Sequence, residues 1–279
     1  MFYAMAERKI DLRGYGFEHQ LQDIQTLNER CLREEIDISA ISIHAYAYVS
    51  QNYALLPCGA SMGDGYGPVV IRKRRTVRAG RAQNAEPRTP KSEDAERDLL
   101  SKAKIAIPGT MTSAFLALQL YLGKFEHVVV PFDQIFDAVT NGTADAGLII
   151  HEGQLTYQRA GFEKIVDLGE WWKQRTGLPL PLGGNVVRKA IEPAVRSDIA
   201  QIMRESIDYG LAHRRQAVAH SMPYARDMET DLADKFIGMY VNDYTRDYGD
   251  TGRAAIREFL GQASKAGIIE KEVGLEFVA

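Results

Sequence analysis

Cysteine is nearly absent from this 279-residue chain. Cys31 and Cys58 are the only two, too few for a disulfide framework and too far apart for a zinc knuckle, a usage that fits a reducing compartment and a cytoplasmic protein. Nowhere do roughly 18 uninterrupted apolar residues occur, so no membrane-spanning helix is expected. Charge of one sign does not prevail either. The 34 Lys plus Arg face 37 Asp plus Glu, leaving a net charge of −3 at pH 7, which argues against a chain-wide nucleic-acid surface. The opening Met1-Phe2-Tyr3-Ala4-Met5-Ala6 lacks the basic and long apolar regions of a secretory leader. Among reactive motifs, the Gly-x-Ser-x-Gly nucleophile elbow and any Cys/His metal cluster are missing. Gly59 to Gly67 is glycine-rich but matches neither the dinucleotide fingerprint nor a Walker loop, and reads as a flexible turn.

What is present is the composition of an ordinary globular protein, 45% hydrophobic and 25% charged, with length enough for about two domains. Short apolar runs alternate with helical patterns, which predicts an α/β architecture with a largely parallel sheet in each of two units. The first unit has strand candidates at Phe17 to Leu21, Ile36 to Ile41, Tyr53 to Pro57 and Pro68 to Arg72, with helices opening near Asp23 and at Ser42. The second has strands at Lys104 to Pro108, Glu126 to Val130, Ala144 to Ile150 and Glu163 to Leu168, with helices from Thr112 and Asp133. Gly177 to Gly184 looks like an extended return crossing, and from Ile191 onward the pattern is almost purely helical. The simplest topology leaves lobe one, builds lobe two and returns: residues 1–76 and 184–279 against 77–183. Between Arg72 and Lys91 lie eight basic residues and one acid, Glu86. Without aromatics for base stacking, this stretch reads as an exposed connection and not as a nucleic-acid arm.

Candidate chemistry gathers at strand ends. Ser42 stands at one strand-to-helix junction, and Thr112 and Ser113 at another, in Gly109-Thr110-Met111-Thr112-Ser113-Ala114-Phe115. A helix start offers free N–H groups and partial positive charge, so a hydroxyl there suits a carboxylate ligand; ordinary N-capping is the competing role. One such junction in each unit points to a small-molecule carboxylate shared across a cleft. His151 ends the buried run Ala146-Gly147-Leu148-Ile149-Ile150 and has Glu152 beside it. An imidazole accepts a proton near neutral pH, which makes His151 the candidate general base, against a purely structural role. The residue four positions on is Leu155, not a second histidine, so a zincin helix is excluded.

The runs Asp23-Ile24-Gln25-Thr26-Leu27-Asn28, Ser42 to Tyr48, Gly63 to Val70, Gly147 to Glu152, Asp167-Leu168-Gly169-Glu170-Trp171-Trp172 and Thr176 to Gly183 together resemble the 1,4-dihydroxy-6-naphthoate synthases of the futalosine route to menaquinone. The likeness extends from Phe2 to near the C-terminus. It implies a two-lobed fold like that of type 2 periplasmic binding proteins, with the ligand between the lobes. It also implies a lyase that cleaves cyclic dehypoxanthine futalosine to 1,4-dihydroxy-6-naphthoate and dihydroxyacetone, with no cofactor and no metal. The family's proton acceptor falls on His151. Its substrate-contacting segments fall on Ala40-Ile41-Ser42 and on Ser113-Ala114, with Thr112 beside them. Members of the family open with a strand and a Ser-Pro-Cys-Pro-Asn-Asp-Thr segment ahead of the helix carrying Phe-Tyr-Ala. Here Met1 directly precedes Phe2-Tyr3-Ala4, so the expected lobe-one sheet is short of its first strand. Two alternatives differ in kind. Chorismate dehydratase, the sister lyase, is disfavoured by the His151-Glu152 and Trp171-Trp172 stretches; a solute-binding protein would carry a leader or tether.

Overall fold

The computed structural model describes residues 1–74, 92–224 and 229–279. Its strands are β1 (Ile38–Ser42), β2 (Tyr53–Leu55), β3 (Ser61–Gly63), β4 (Val69–Lys73), β5 (Ile105–Ile107), β6 (His127–Val129), β7 (Ala146–Ile149), β8 (Phe162–Asp167) and β9 (Leu180–Arg188). The helices of the first half are α1 (Tyr3–Ala6), α2 (Ile24–Leu32), α3 (Ile43–Val49), α4 (Glu93–Ser101), α5 (Ser113–Leu122) and α6 (Ile135–Thr140), the last entered through a 3-10 turn at Phe132–Gln134. Then follow α7 (Gly153–Thr156), α8 (Leu168–Thr176), α9 (Pro193–Ala212), α10 (Arg214–Ser221), α11 (Thr230–Tyr240), α12 (Asp243–Arg246) and α13 (Gly249–Lys265).

The strands sort into two sheets. In the first, β9 lies between β1 and β2 and also pairs with β3, antiparallel to all of them, with Ala40 opposite Asn185 and Ala54 opposite Val187. In the second, of order β6-β5-β7-β4-β8, strands β6, β5 and β7 are parallel while β4 runs antiparallel to β7 and β8. The expectation of a largely parallel sheet in each unit therefore holds only for β6-β5-β7. Its failure in the first sheet has one cause. The returning run Leu180–Arg188 is long enough to lie down the middle, so every partner there meets a strand of opposite sense.

Other expectations shift as well. Phe17 to Leu21 forms no strand; Phe17 packs against the apolar cluster of Met5, Leu56 and Ile199, and Leu21 is 76% exposed. The supposed flexible turn around Gly59 to Gly67 contains β3, held on β9. The chain crosses between sheets earlier than expected, since Val69–Lys73, taken as part of lobe one, pairs with β7 and β8. Likewise Leu180 to Gly183, taken as part of lobe two, pairs with β3 and β1 in the first sheet. Both crossings meet at glycines. A Cβ on Gly169 would stand 1.9 Å from the Tyr66 carbonyl oxygen, and one on Gly67 would stand 2.8 Å from the Gly169 nitrogen, so the backbones touch where any side chain would separate them. Most of the basic connection, residues 75–91, lies outside the described residues. Its first member, Arg72, pairs with Glu163 at 2.6 Å across β4 and β8.

One apolar core serves both sheets. It runs from Ile41, Leu55 and Val186 through Phe115, Leu118, Trp172 and Phe259 to Ile105, Leu148 and Val166. Trp171 and Trp172 are core residues, and the buried Trp172 indole donates to the Pro179 carbonyl at 3.1 Å. The helices after β9 return to the first sheet: α13 packs on β9, and the chain end lies along β2, where Leu55 N–H donates to the Glu276 carbonyl at 2.8 Å.

Candidate active site

The two helix starts meet, and helix α2 holds them together. Asp23 caps α2, accepting from the Thr26 N–H at 3.0 Å. Apolar residues at positions 24, 27 and 31 turn this helix toward the interior, and the same face carries Asn28, which is wholly buried. Its Oδ1 accepts from Ser42 N–H at 2.9 Å, while Nδ2 donates to Ser42 Oγ at 3.0 Å and to the Met111 carbonyl at 3.3 Å. Gln25 Oε1 accepts from Met111 N–H at 3.1 Å, and a Cβ on Gly109 would fall 2.2 Å from that oxygen, so glycine lets the loop after β5 approach α2. On the other side, His44 N–H donates to Ser113 Oγ at 3.2 Å, and the His44 Nδ1 lies 3.3 Å from the Thr112 carbonyl. A carbonyl only accepts, so Nδ1 carries the hydrogen and Nε2 is left as an acceptor facing the Tyr48 hydroxyl at 3.5 Å. Burial drives the His44 pKa down to about 4, against a smaller opposing effect from the Thr112 hydrogen bond, and the ring is neutral.

This network fixes which hydroxyls can serve a ligand. Thr112 Oγ1 donates to the Gly109 carbonyl at 3.0 Å and accepts from Phe115 N–H at 3.1 Å; it is a helix cap with both functions used. Ser42 Oγ and Ser113 Oγ each accept from a group that can only donate, so each keeps its own hydrogen to offer elsewhere. Both serines are at most 3% exposed. Ile41 and Ala114 belong to the shared core, so of these two a ligand could meet only backbone; Ala40 is half-buried in β1 opposite Asn185.

His151 is not part of that network. It follows β7, with its ring edge-on to Phe132 and Phe136 at centroid distances of 5.7 and 6.0 Å. Gly153 N–H donates to its Nδ1 at 3.0 Å, and a Glu152 carboxylate oxygen lies 3.8 Å from the same nitrogen. The lone pair is therefore on Nδ1, where an arriving proton would find an anionic neighbour. The next turn is anchored from the C-terminal half: Gln154 Nε2 donates to the Ile149 carbonyl at 3.2 Å, and Tyr240 of α11 donates to Gln154 Oε1 at 2.6 Å.

Topology joins the two parts. Since β6, β5 and β7 are parallel, the loops after them emerge along one edge, as open α/β sheets place ligands. A groove of about 500 Å³ opens there, lined by Asp23, Gln25, Pro108, Val130, Phe132 and Asp133. Gln25 links it to the helix starts and Phe132 links it to His151. Partial burial pushes the Asp23 carboxyl up, but hydrogen bonds from Thr26 and the Gln25 backbone outweigh it and hold the group below its usual range.

Residues 1–265 match a family model described as menaquinone biosynthesis. The chain belongs to that family. It is 34% identical over 253 residues to 1,4-dihydroxy-6-naphthoate synthase of Streptomyces coelicolor, covering 88% of this chain and 82% of the relative. It is 32% identical over 268 residues to the protein of the same name from Thermus thermophilus, covering 96% and 90%. A crystal structure of an Archaeoglobus fulgidus protein superposes with a TM-score of 0.85 at 38% identity, covering 96% of this chain and 93% of that one. A Candida albicans protein described as having the generic periplasmic binding protein fold superposes with a TM-score of 0.61 at 13% identity, covering 88% and 78%, a likeness of fold.

Within this menaquinone-biosynthesis chain, the sequence singles out Ser42, Thr112, Ser113 and His151 as candidates, and not Asn28, Gln25, His44 or Tyr240, which the structure places around them. Asn28 had a legible signal, an amide on the apolar face of an amphipathic helix, which must find buried partners. Tyr240 had none, because its partner Gln154 is 86 positions away. Among the described residues no group of His, Cys, Asp and Glu is placed to hold a metal, and no helix is long and apolar enough to cross a membrane.

Proposed function

We propose that this chain is a carbon–carbon lyase that converts cyclic dehypoxanthine futalosine to 1,4-dihydroxy-6-naphthoate with release of dihydroxyacetone, working in the cytoplasm on a two-lobed scaffold. The observation that carries this reading is the joining of two hydroxyl donors, Ser42 and Ser113, at neighbouring helix starts, with a strand-end imidazole at His151, in a member of the menaquinone-biosynthesis family. The serines would receive the substrate's ring carboxylate. His151 would take a proton from a substrate hydroxyl at Nδ1, displacing the Gly153 N–H, with Glu152 stabilising the imidazolium. Loss of that proton lets the bond to the three-carbon unit break toward the bicycle. The electron pair stays on the ring system, which becomes aromatic and supplies much of the driving force. Orientation and exclusion of water are then the protein's main contributions, and the nearly sealed helix starts suit both.

The test is to incubate the protein with cyclic dehypoxanthine futalosine and follow the fluorescent naphthoate together with dihydroxyacetone. Equimolar formation of both supports the assignment. Binding without turnover would mark a solute-binding protein, and dehydration of chorismate in a parallel reaction would mark the sister lyase.

A further inference from the structure

We infer that Tyr240 and Gln154 are positioning residues for the reaction: from a helix seated on the first sheet, the Tyr240 hydroxyl fixes the Gln154 amide, which in turn holds the turn presenting His151. The inference rests on the proton-accepting role proposed above for His151 and adds what keeps that ring aimed. One residue closes the turn twice. Gln154 N–H donates to the His151 carbonyl at 2.9 Å, and the Gln154 side chain reaches back past the histidine, where Nε2 donates to the Ile149 carbonyl at 3.2 Å. The imidazole lies directly against this turn. Gly153 N–H meets Nδ1 at 3.0 Å, and a Cβ on Gly153 would fall 2.7 Å from His151 Cε1 and 2.8 Å from the Phe136 ring, so the ring has no slack on that side. Arrival of a proton at Nδ1 displaces the Gly153 bond. Anchors that do not involve the imidazole must therefore hold its position while that bond is exchanged, and these are the two bonds of Gln154.

Gln154 is 8% exposed, and a buried amide needs a partner at each end. Presenting Nε2 to Ile149 turns Oε1 away from it, and without a donor there the amide would gain by rotating. Tyr240 supplies the donor, its O–H reaching Oε1 at 2.6 Å. The tyrosine is itself held independently of Gln154. Its ring stands edge-on to Phe236 at 5.2 Å and to Tyr66 at 5.8 Å, and the adjoining Met239 carbonyl accepts from the Tyr66 hydroxyl and, at 3.1 Å, from Asn242 Nδ2. Helix α11 packs on β3 of the first sheet, whereas Gln154 follows β7 of the second. The base carried by one sheet is thus set from the other, and its geometry depends on the two being docked together.

Tyr240→Phe removes one hydroxyl and keeps the packed ring. With naphthoate formation as the assay, kcat should fall about 10- to 100-fold while KM stays within about twofold, because the base is misplaced and the groups that bind substrate are unchanged. Tyr66→Phe is the control. It removes a hydroxyl from the same end of α11 without touching Gln154, Asn242 still serves the Met239 carbonyl, and kcat should stay within about twofold. Urea denaturation shows that both variants are folded under assay conditions. A kcat for Tyr240→Phe equal to that of the unmodified protein, or an equal loss in Tyr66→Phe, overturns the inference. A cycle with His151→Ala is the sharper readout: if Tyr240 acts through His151, the slow rate left in His151→Ala should not change when Tyr240→Phe is added. Losses that multiply overturn it. Full activity of His151→Ala would instead remove the base, and absence of naphthoate from the unmodified protein would remove the reaction; both failures are seen before Tyr240 is altered.

Discussion

Exchange of Asn28 for aspartate separates the polarity of one buried hydrogen bond from the presence of a side chain. The native amide donates to Ser42 Oγ at 3.0 Å and to the Met111 carbonyl at 3.3 Å, while its oxygen accepts from Ser42 N–H at 2.9 Å. In Asn28→Asp the accepting oxygen is kept, but the donor becomes a second acceptor of nearly the same size. Ser42 must then turn its hydrogen inward, and the Met111 carbonyl faces an oxygen. Stability should fall by about 2–4 kcal/mol, combining an unsatisfied carbonyl with a buried carboxylate partly compensated by the two Ser42 bonds. Activity should fall by more than stability explains. A hydrogen bond to a charged ligand group is worth about 1.5–3 kcal/mol, so withdrawing the Ser42 donor should lower kcat/KM roughly 10- to 150-fold. Asn28→Ala is the control, since it also destabilises but leaves the Ser42 hydrogen available to the ligand. Initial rates of naphthoate formation, with urea denaturation to confirm that both variants are folded under assay conditions, give the comparison. Wild-type kcat/KM in Asn28→Asp, or an equal loss in the two folded variants, would refute the account of hydroxyl polarity.

Four further outcomes follow from the same geometry. His151→Ala should leave the denaturation midpoint nearly unchanged, the ring being at the core's margin, while lowering kcat at least 100-fold in a single-turnover assay. His44 is neutral when folded, with a pKa near 4 against about 6.5 when unfolded, so the unfolded chain binds more protons between these values. Stability should decline as pH falls from 6.5 to 4, by about 3 kcal/mol at most from this group, and His44→Gln should flatten the slope of urea midpoint against pH. Thr112→Ala should cost about 1 kcal/mol as a lost cap, with a smaller effect on KM than Ser113→Ala, because its hydroxyl is already engaged twice. Gly169→Ala should reduce the yield of folded protein, seen by circular dichroism, because the methyl group would sit 1.9 Å from the Tyr66 carbonyl oxygen.

Local rules reached most elements and stopped where partners are distant. Asp23 and Thr112 each declare a helix start through a side chain that satisfies a nearby N–H, and both are caps in the structure. Asp167 caps α8 in the same way, within a stretch whose pattern predicts only a strand as far as Leu168. The parallel strands of the second sheet follow from buried runs separated by helices, since a parallel pair requires a crossover. Residues Leu180 to Arg188 could not be placed in this way. Their apolar character marks a strand but not its neighbours, and β9 pairs with residues more than 100 positions earlier. Register of that kind is decided by tertiary packing, which a pattern of alternating hydrophobicity does not encode. The site divides along the same line. The hydroxyls and His151 stand at strand ends, where local sequence is informative, whereas their orientation depends on Asn28 and His44, whose contacts with Met111, Thr112 and Ser113 span dozens of residues.

That division bears on how the site works. Asn28 and Gln25 of α2 touch the loop leading into α5, and Asp23, at the start of the same helix, lines the groove. A single nine-residue helix, with its cap, therefore touches both the serine-bearing helix starts and the groove. Displacing α2 would disturb the two together, by breaking the bonds to Ser42 and Met111 while moving Asp23 away from Pro108 and Phe132. The hydrogen bonds of Asn28 and Gln25 restrain such a shift, so the serine hydroxyls and the loop leading into α5 are held in place by one rigid element, as a preorganised site requires.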